Sequence, residues 1–424
     1  MSIKGDSKFS LSKPLARRLP FFYGWVIAIV AGLVSLAGVA ESPAMLGIFI
    51  TDMSSELGWS RTEISGAVLL GTALVFIAAP VSGKLTDVWS PRYVICIGAS
   101  ITAICLMAIG SVTSIFFFYI LLSISYAMNA GIARVAVNAL VAKWFVSSRG
   151  KATGVVSMFL GLGFLIMPII AATVTDEFGW RAGWRVLGAL TLVLAVPVSF
   201  FLLRSVPEDV NQKVDGYKNS KNGEDPPADL EQQWSTKEAI RTPTFWMLLI
   251  SLSTIAVAIL GFAVHLVPHL EDRGIDTKIA ALSFSVAGAI MLPSSPAWGW
   301  FLDRFPARLG FLVSALVVVI FTLLTLLAHS AFMVIPIGIS MGIGFGGFGM
   351  VQRVIYANYF GRQSAGTVLG MAVPLMAIAQ GLGTVIAGAA FDIFGDYIAV
   401  FSLFAVLVVI SIGVMYKVSP PTRV

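Results

Sequence analysis

The sequence predicts an all-α membrane protein with twelve transmembrane helices in two pseudo-symmetric six-helix halves. Its composition, its apolar runs and an internal repeat all indicate this fold class. Of the 424 residues, 57% are hydrophobic and only 12% are charged, whereas a soluble domain has about 25% charged residues. Because a chain this apolar would expose large apolar patches to water, lipid is the solvent that suits it. The mean hydropathy of +0.90 agrees.

The apolar residues fall into runs that are long enough to cross a membrane. A helix needs about 20 apolar residues to span a hydrocarbon core of about 30 Å. Twelve runs meet this requirement, at 22–48, 64–86, 92–112, 115–141, 150–174, 183–203, 244–267, 279–301, 308–328, 331–357, 365–390 and 396–416. We expect an N-terminal tail at 1–21, a six-helix half at 22–203, a polar linker at 204–242, a second half at 243–416 and a tail at 417–424.

The two halves repeat each other. GKLTD at Gly83–Asp87 returns as GWFLD at Gly299–Asp303, 216 positions later. KWF at Lys143–Phe145 returns as NYF at Asn358–Phe360, 215 positions later. Offsets that agree to within one residue indicate a duplicated six-helix unit. Parallel repeats around a site at the bilayer midplane are typical of transporters.

The basic residues predict the orientation of the chain. With both termini inside, the inner segments hold 21 Lys and Arg, and the outer loops hold five. Because cytoplasmic loops carry the excess of basic residues, we expect a multi-pass protein of the cytoplasmic (inner) membrane with both termini in the cytoplasm. The five outer residues are Arg61, Arg181, Arg185, Arg273 and Lys278.

The loop between the second and third predicted helices carries a family signature. GKLTDVWSPR resembles the G-x-x-x-D-R-x-G-x-R-R signature of the major facilitator superfamily at Gly83, Asp87 and Arg92, and departs from it at Val88 and Ser90. The second copy, GWFLDRFPAR, agrees at Gly299, Asp303, Arg304 and Arg308. The resemblance implies the major facilitator fold and transport by alternating access.

Further segments resemble a narrower group. FYGW, ELGWSRTEIS, KWFVSSRGKATG, GWRAGWRVLG, RTPTFW and HLVPHLEDRGI are similar to segments of the bacterial relatives of monocarboxylate transporters and oxalate–formate exchangers. This resemblance covers most of residues 22–390 and implies a carrier of small organic anions. The fifth predicted helix lacks the Gly-Pro pair of the similar drug–proton antiporters, which disfavours drug efflux.

The signature loops are candidates for a cytoplasmic gate. An Asp at a helix end, near an Arg and a facing helix N-terminus, can hold that side of the protein closed by a weak contact that breaks in each cycle. The predicted gate residues are Gly83, Asp87, Arg92, Gly299, Asp303, Arg304 and Arg308. The alternative is a charged loop that only sets topology.

Two arginines fall inside predicted helices. Arg134 precedes Lys143 by nine residues, and Arg353 precedes Arg362 by nine. Nine residues span about 14 Å of helix, so both guanidinium groups are expected near the middle of the membrane, where a charge is costly. Since arginine binds carboxylates through two parallel hydrogen bonds, the pair predicts an anion site. The alternative is an internal ion pair or carbonyl contact that stiffens the bundle.

Three polar residues are candidates to assist these arginines. Asn138 shares a helix face with Arg134, and Tyr356 shares one with Arg353. Gln380 is a lone polar residue in the eleventh helix. Each is a candidate to orient an arginine or touch the solute. The alternative for all three is a hydrogen bond between helices.

Two residues are candidates for proton coupling. Glu41 is the one acidic residue that falls inside a predicted helix rather than in a loop or at a helix end, and Pro43 beside it predicts a local kink. It is a candidate proton carrier, a counter-ion for Arg134 in the absence of solute, a static salt-bridge partner or a rim residue. His265 has a suitable intrinsic pKa but is expected near the outer surface. His269 and His329 are expected in loops.

These observations favour a secondary active transporter. The sequence contains no phosphate-binding G-x-x-x-x-G-K-[ST] loop, no nucleophile–base pair and no metal-ligand cluster, so we expect no enzyme, cofactor or metal. Its basic residues do not cluster, so no nucleic-acid partner is expected. The favoured function is proton-coupled import of a small monocarboxylate-like anion by a monomer. The alternatives are exchange of dicarboxylates, import of a larger polar solute such as a vitamin or aromatic acid, and a transporter-like sensor.

Overall fold

The computed structural model describes residues 19–145, 148–215, 236–360, 362–419 and 421. Within these ranges the chain forms helices, turns and loops, and no strand. Twelve helical stretches are long and apolar enough to cross a membrane. The predicted fold class is therefore confirmed.

The first half of the described chain contains eight α-helices. They are α1 (Gly24–Ala37), α2 (Pro43–Leu57), α3 (Arg61–Val88), α4 (Pro91–Ile109), α5 (Ile115–Tyr126), α6 (Arg134–Trp144), α7 (Arg149–Phe178) and α8 (Trp180–Leu202). A 3-10 turn, Gly38–Glu41, joins α1 to α2. A π-helical segment, Ala127–Ala133, joins α5 to α6. Each of these two pairs therefore forms one interrupted span.

The second half contains seven α-helices. They are α9 (Thr236–Arg241), α10 (Pro243–Glu271), α11 (Thr277–Arg304), α12 (Ala307–Leu326), α13 (Val334–Phe360), α14 (Arg362–Phe394) and α15 (Ile398–Lys417). All except the short α9 belong to candidate spans.

The first span is longer than predicted. The apolar run was expected to end at residue 48, whereas α2 continues to Leu57. The apolar run ends before the polar residues Thr51 and Asp52. The helical backbone continues to Gly58, whose φ of +69° ends the helix. Glycine is the residue that adopts this left-handed conformation without steric cost.

The described residues group into two compact units. The first unit contains residues 1–45 and 70–223, and the second contains 46–69 and 224–424, in each case as far as the structure describes them. The predicted halves, 22–203 and 243–416, stay a prediction. The contacts instead assign residues 46–69, where the first span ends and the second begins, to the unit that holds the second half of the chain.

Aromatic side chains anchor the start of α1 in the first unit. Tyr23 is fully buried and its hydroxyl donates to the carbonyl oxygen of Leu202 at 2.9 Å. Burial raises the pKa of Tyr23 to about 12. The Trp144 ring lies 5.9 Å from that of Tyr23, and its indole N–H donates to the Arg204 carbonyl at 2.9 Å. These contacts fix the ends of α1, α6 and α8 together.

The second unit packs through aromatic rings and close backbone approaches. The ring of Phe262 lies 4.8 Å from that of Phe321 and 4.3 Å from that of Phe401. Gly383 in α14 faces α10 so closely that a Cβ there would lie 2.1 Å from the Val257 carbonyl oxygen. Small residues at helix interfaces allow this approach, and van der Waals packing then stabilises the helix pair.

Gly383→Ala should therefore destabilise the protein. The added methyl group must push α10 and α14 apart, a change that costs about 1–3 kcal/mol. Thermal unfolding in detergent measures the effect as a lower melting temperature. Gly413→Ala in α15 is the matched control, because nothing lies within 4 Å of a Cβ at that position. Equal melting temperatures for the two variants would contradict the packing described for Gly383.

Candidate functional site

Glu41 lies at the break in the first span. It ends the 3-10 turn Gly38–Glu41 and is 3% exposed. Ser42 after it has extended backbone angles, as expected of a residue that precedes proline. Pro43 then begins α2. The Ser42–Pro43 pair thus stops the helix beside Glu41, as the predicted kink at Pro43 required.

Asn129 binds Glu41 from the π-helical segment. Its Nδ2 donates to Glu41 Oε2 at 2.6 Å and to the Gly38 carbonyl oxygen at 2.9 Å. A Cβ at position 38 would lie 2.8 Å from Asn129 Oδ1, so the contact of Asn129 with the Gly38 carbonyl requires glycine at that position. Asn129 was not among the residues predicted from the sequence, because the pairing joins residues 88 positions apart.

The π-helical segment places further polar groups around Glu41. A π-helix has wider turns than an α-helix and frequently occurs at functional sites. Tyr126 precedes the segment and is 5% exposed, and Arg134 follows it and is exposed. Both side chains interact electrostatically with Glu41.

Two buried oxygen atoms in this cluster have no hydrogen-bond partner among the described residues. They are Oε1 of Glu41 and the hydroxyl of Tyr126. Leaving a buried polar atom without a partner costs free energy. Together with the exposed guanidinium of Arg134, these atoms form an incompletely satisfied polar site that can accept a proton or a polar solute group.

Asn138 lies apart from this cluster. It is exposed and, with Arg149 and Thr153, lines a cavity of about 140 Å³ whose lining does not include Arg134. Asn138 and Arg134 belong to the same helix, α6, and a role for Asn138 in orienting the arginine or touching the solute stays a prediction.

The second predicted arginine group is in the second unit. Arg353 lies in α13, and its side chain lies outside the described part of the structure. Tyr356 is fully buried, with its ring 6.5 Å from that of Phe245, and its hydroxyl has no partner among the described residues. Gln380 in α14 is half-buried. A role for these three in solute binding stays a prediction.

His265 lies near the end of α10, and its expected position near the outer surface stays a prediction. It is fully buried in α10. Its Nδ1 lies 2.9 Å from the Tyr397 hydroxyl, and its Nε2 lies 2.9 Å from the Thr384 carbonyl oxygen and 3.0 Å from Ser65 Oγ. Since a carbonyl can only accept, the neutral Nε2–H tautomer satisfies all three contacts. A coupling role for His265 stays a prediction.

The other two histidines differ from each other. His269 was expected in a loop but lies inside α10, where it is 2% exposed and its Nε2 is 3.2 Å from the Thr325 carbonyl oxygen. The expectation fails because α10 continues past Pro268, which the helix accommodates. His329 lies in a loop, as expected.

Arg61 forms the main charged cluster of the second unit. Its guanidinium binds both carboxylate oxygens of Asp272, at 2.8 and 3.0 Å, and donates to the Tyr397 hydroxyl at 2.7 Å. It also lies 3.5 Å from the centre of the Phe391 ring. Burial raises the pKa of Tyr397, so its hydroxyl keeps the proton that it shares with His265.

Asp392 completes this cluster at the start of α3. It accepts hydrogen bonds from the backbone N–H groups of Arg61 and Thr62, at 3.1 and 2.9 Å, and from the Thr62 hydroxyl. A carboxylate is well placed at a helix N-terminus, where backbone N–H groups are free and the helix dipole is positive. The sequence analysis used Arg61 only to predict orientation, because no motif joins it to residues more than 200 positions away.

The first signature loop contributes a buried arginine. Arg92 is 3% exposed, donates to the Tyr93 hydroxyl at 2.7 Å and lies 4.8 Å from the Phe200 ring centre. Gly83 and Asp87 lie in α3, and the Asp87 side chain lies outside the described part of the structure.

The second loop is more exposed. Asp303 and Arg304 are exposed near the end of α11, which also contains Gly299. Arg304 lies 4.3 Å from the ring centre of Trp300, and Arg308 lies 5.0 Å from that of Tyr416. Among the described residues, these gate candidates form no salt bridge. The cytoplasmic gate stays a prediction.

No group of three or more His, Cys, Asp or Glu among the described residues could hold a metal ion. The polar clusters consist instead of carboxylates, amides, hydroxyls and arginines. The chain is therefore a membrane protein with twelve candidate spans, and some of its ionisable side chains, such as Glu41 and Arg61, are buried.

Comparison with known proteins identifies the family. The chain matches the Major Facilitator Superfamily over residues 30–384 and 292–424, and it belongs to that family. Its relatives and its fold are those of transporters, which are not enzymes.

Curated relatives include several monocarboxylate transporters. The chain is 22% identical to monocarboxylate transporter 12 of Rattus norvegicus over 400 residues, 90% of this chain and 82% of the relative. It is 23% identical to monocarboxylate transporter 13 of Bos taurus, over 93% of this chain and 88% of the relative. With human monocarboxylate transporter 11 the identity is 24%, over 90% and 80% of the two chains.

Solved structures share the fold. A bacterial homologue of the human lysosomal transporter Spinster, inward-facing and unoccupied, aligns with a TM-score of 0.70 at 15% identity, over 94% of this chain and 97% of that one. The nucleoside transporter NupG aligns with a TM-score of 0.73 at 13% identity, over 93% and 99% of the chains. At these identities the likeness shows the fold alone.

Proposed function

We propose that this transporter imports a small monocarboxylate-like anion together with a proton, across the cytoplasmic membrane and as a monomer with both termini in the cytoplasm. The observation that carries the proposal is a buried carboxylate, Glu41, with one unpartnered oxygen and with Arg134 acting on it electrostatically. The monocarboxylate transporters among the relatives support the solute class.

The two charges suggest a simple coupling scheme. Without solute, the exposed guanidinium of Arg134 partly offsets the charge of the buried Glu41 carboxylate, which would be costly alone. Protonation of Glu41 at Oε1 removes its charge and leaves Arg134 without a counter-ion. A solute carboxylate then replaces it, so proton and anion move together. Arg353 is proposed, from its place in the repeat, to present a second cationic group to the same solute.

Arg134→Ala and Arg353→Ala test the anion site. Each change removes a charge-assisted contact, and uptake of labelled monocarboxylates into proteoliposomes should fall about 10- to 100-fold, the scale for losing a hydrogen bond to a charged group. Arg185→Ala is the matched control, since this exposed arginine donates to Ser111 Oγ at 3.0 Å and lies outside the site. If both variants take up solute as well as Arg185→Ala does, Arg134 and Arg353 do not bind the anion.

Glu41→Gln tests the proton coupling. The amide keeps the shape of the carboxylate but cannot take up a proton, so uptake driven by a pH gradient should be lost while counterflow of labelled solute continues. Glu177→Gln at the exposed end of α7 is the control. If Glu41→Gln accumulates solute in response to an imposed pH gradient, Glu41 is not the proton carrier.

A further inference from the structure

The side-chain amide of Asn129 has no spare hydrogen. An amide nitrogen carries two N–H groups, and those of Asn129 go to Glu41 Oε2 and to the Gly38 carbonyl. Asn129 is 7% exposed, so water does not compete freely for these donors. Of the two Glu41 oxygens, only Oε1 is left without a partner among the described residues.

The backbone that carries Asn129 is held in place by close contacts. A Cβ at Gly131 would lie 2.6 Å from the Ala78 Cβ, and one at Gly98 would lie 3.0 Å from the Met128 carbonyl oxygen. The π-helical segment is therefore packed tightly against α3 and α4. Asn129 links this segment to the 3-10 turn of the first span, the two places where the spans of the first unit depart from α-helical geometry.

We propose that Asn129 is the residue that positions Glu41 for proton coupling. Asn129 binds Glu41 Oε2 and the Gly38 carbonyl oxygen, and so leaves Oε1 available to a proton. Tyr126 and Arg134 are the other ionisable groups that act on Glu41. This inference rests on the proposed function of Glu41. It adds a residue of the coupling mechanism that touches neither proton nor solute.

A double-mutant cycle tests this inference with Asn129→Ala, Glu41→Gln and the double variant. Asn129→Ala should lower pH-gradient-driven uptake about tenfold, the scale of a hydrogen bond to a charged group, and should change counterflow less than about twofold. In the Glu41→Gln background the same change should have no further effect, because residues that act as a unit are not additive. Asn129→Ser keeps one hydrogen-bond donor and should retain part of the driven uptake. If Asn129→Ala does not reach the membrane, Asn129→Ser is measured in its place.

The results distinguish the positioning role of Asn129 from the proton-coupling role of Glu41. Normal driven uptake by Asn129→Ala, or an equal loss of driven uptake and counterflow by that variant, would overturn the positioning role and leave Glu41 as the carrier. Normal driven uptake by Glu41→Gln would overturn the proposed coupling itself, and the positioning role with it.

Discussion

The cost of keeping charge and unpaired polar groups away from water governs this structure. In an apolar surrounding such a group needs a partner, or it costs free energy that the fold must supply elsewhere. Arg61 meets this requirement fully, through Asp272, Tyr397 and the face of Phe391. Glu41 meets it only in part, since Asn129 binds one oxygen and the other has no partner in the part of the chain that the structure describes. The difference separates a structural junction from a site with capacity for a ligand.

In the hydrogen-bond chain through His265, each polar group has a partner. Arg61 donates to Tyr397, the Tyr397 hydroxyl donates to His265, and His265 donates to the Thr384 carbonyl. Every donor in this series has an acceptor, so the groups hold one another in a single arrangement. A histidine with both ring nitrogens engaged is poorly suited to exchange a proton with solution. Its intrinsic pKa alone therefore does not establish a role in proton coupling, which stays a prediction for His265.

Much of the fold could be predicted from local sequence, because the spans are set by run length and polarity. The break beside Glu41 was also predictable, since Pro43 restricts its neighbours in any context. The partners of Glu41 and Arg61 were not. Asn129 and Asp272 lie 88 and 211 positions from them, and one sequence contains no signal for pairings that only the packed helices create. The π-helical segment also escaped prediction, because its residues have no distinctive composition.

The π-helical segment also bears on how the two halves of the chain came to differ. Its turns close between residues five apart rather than four, so it accommodates one extra residue within the span. The repeat offset maps Arg353 to position 137 or 138 rather than to Arg134, and α13 is continuous α-helix from Val334 to Phe360. The offset between the repeats falls from 216 before this segment to 215 after it, which corresponds to a single inserted codon in the first copy of a duplicated gene. Such an event would change the chemistry presented by one half and leave the contacts at the end of its span intact.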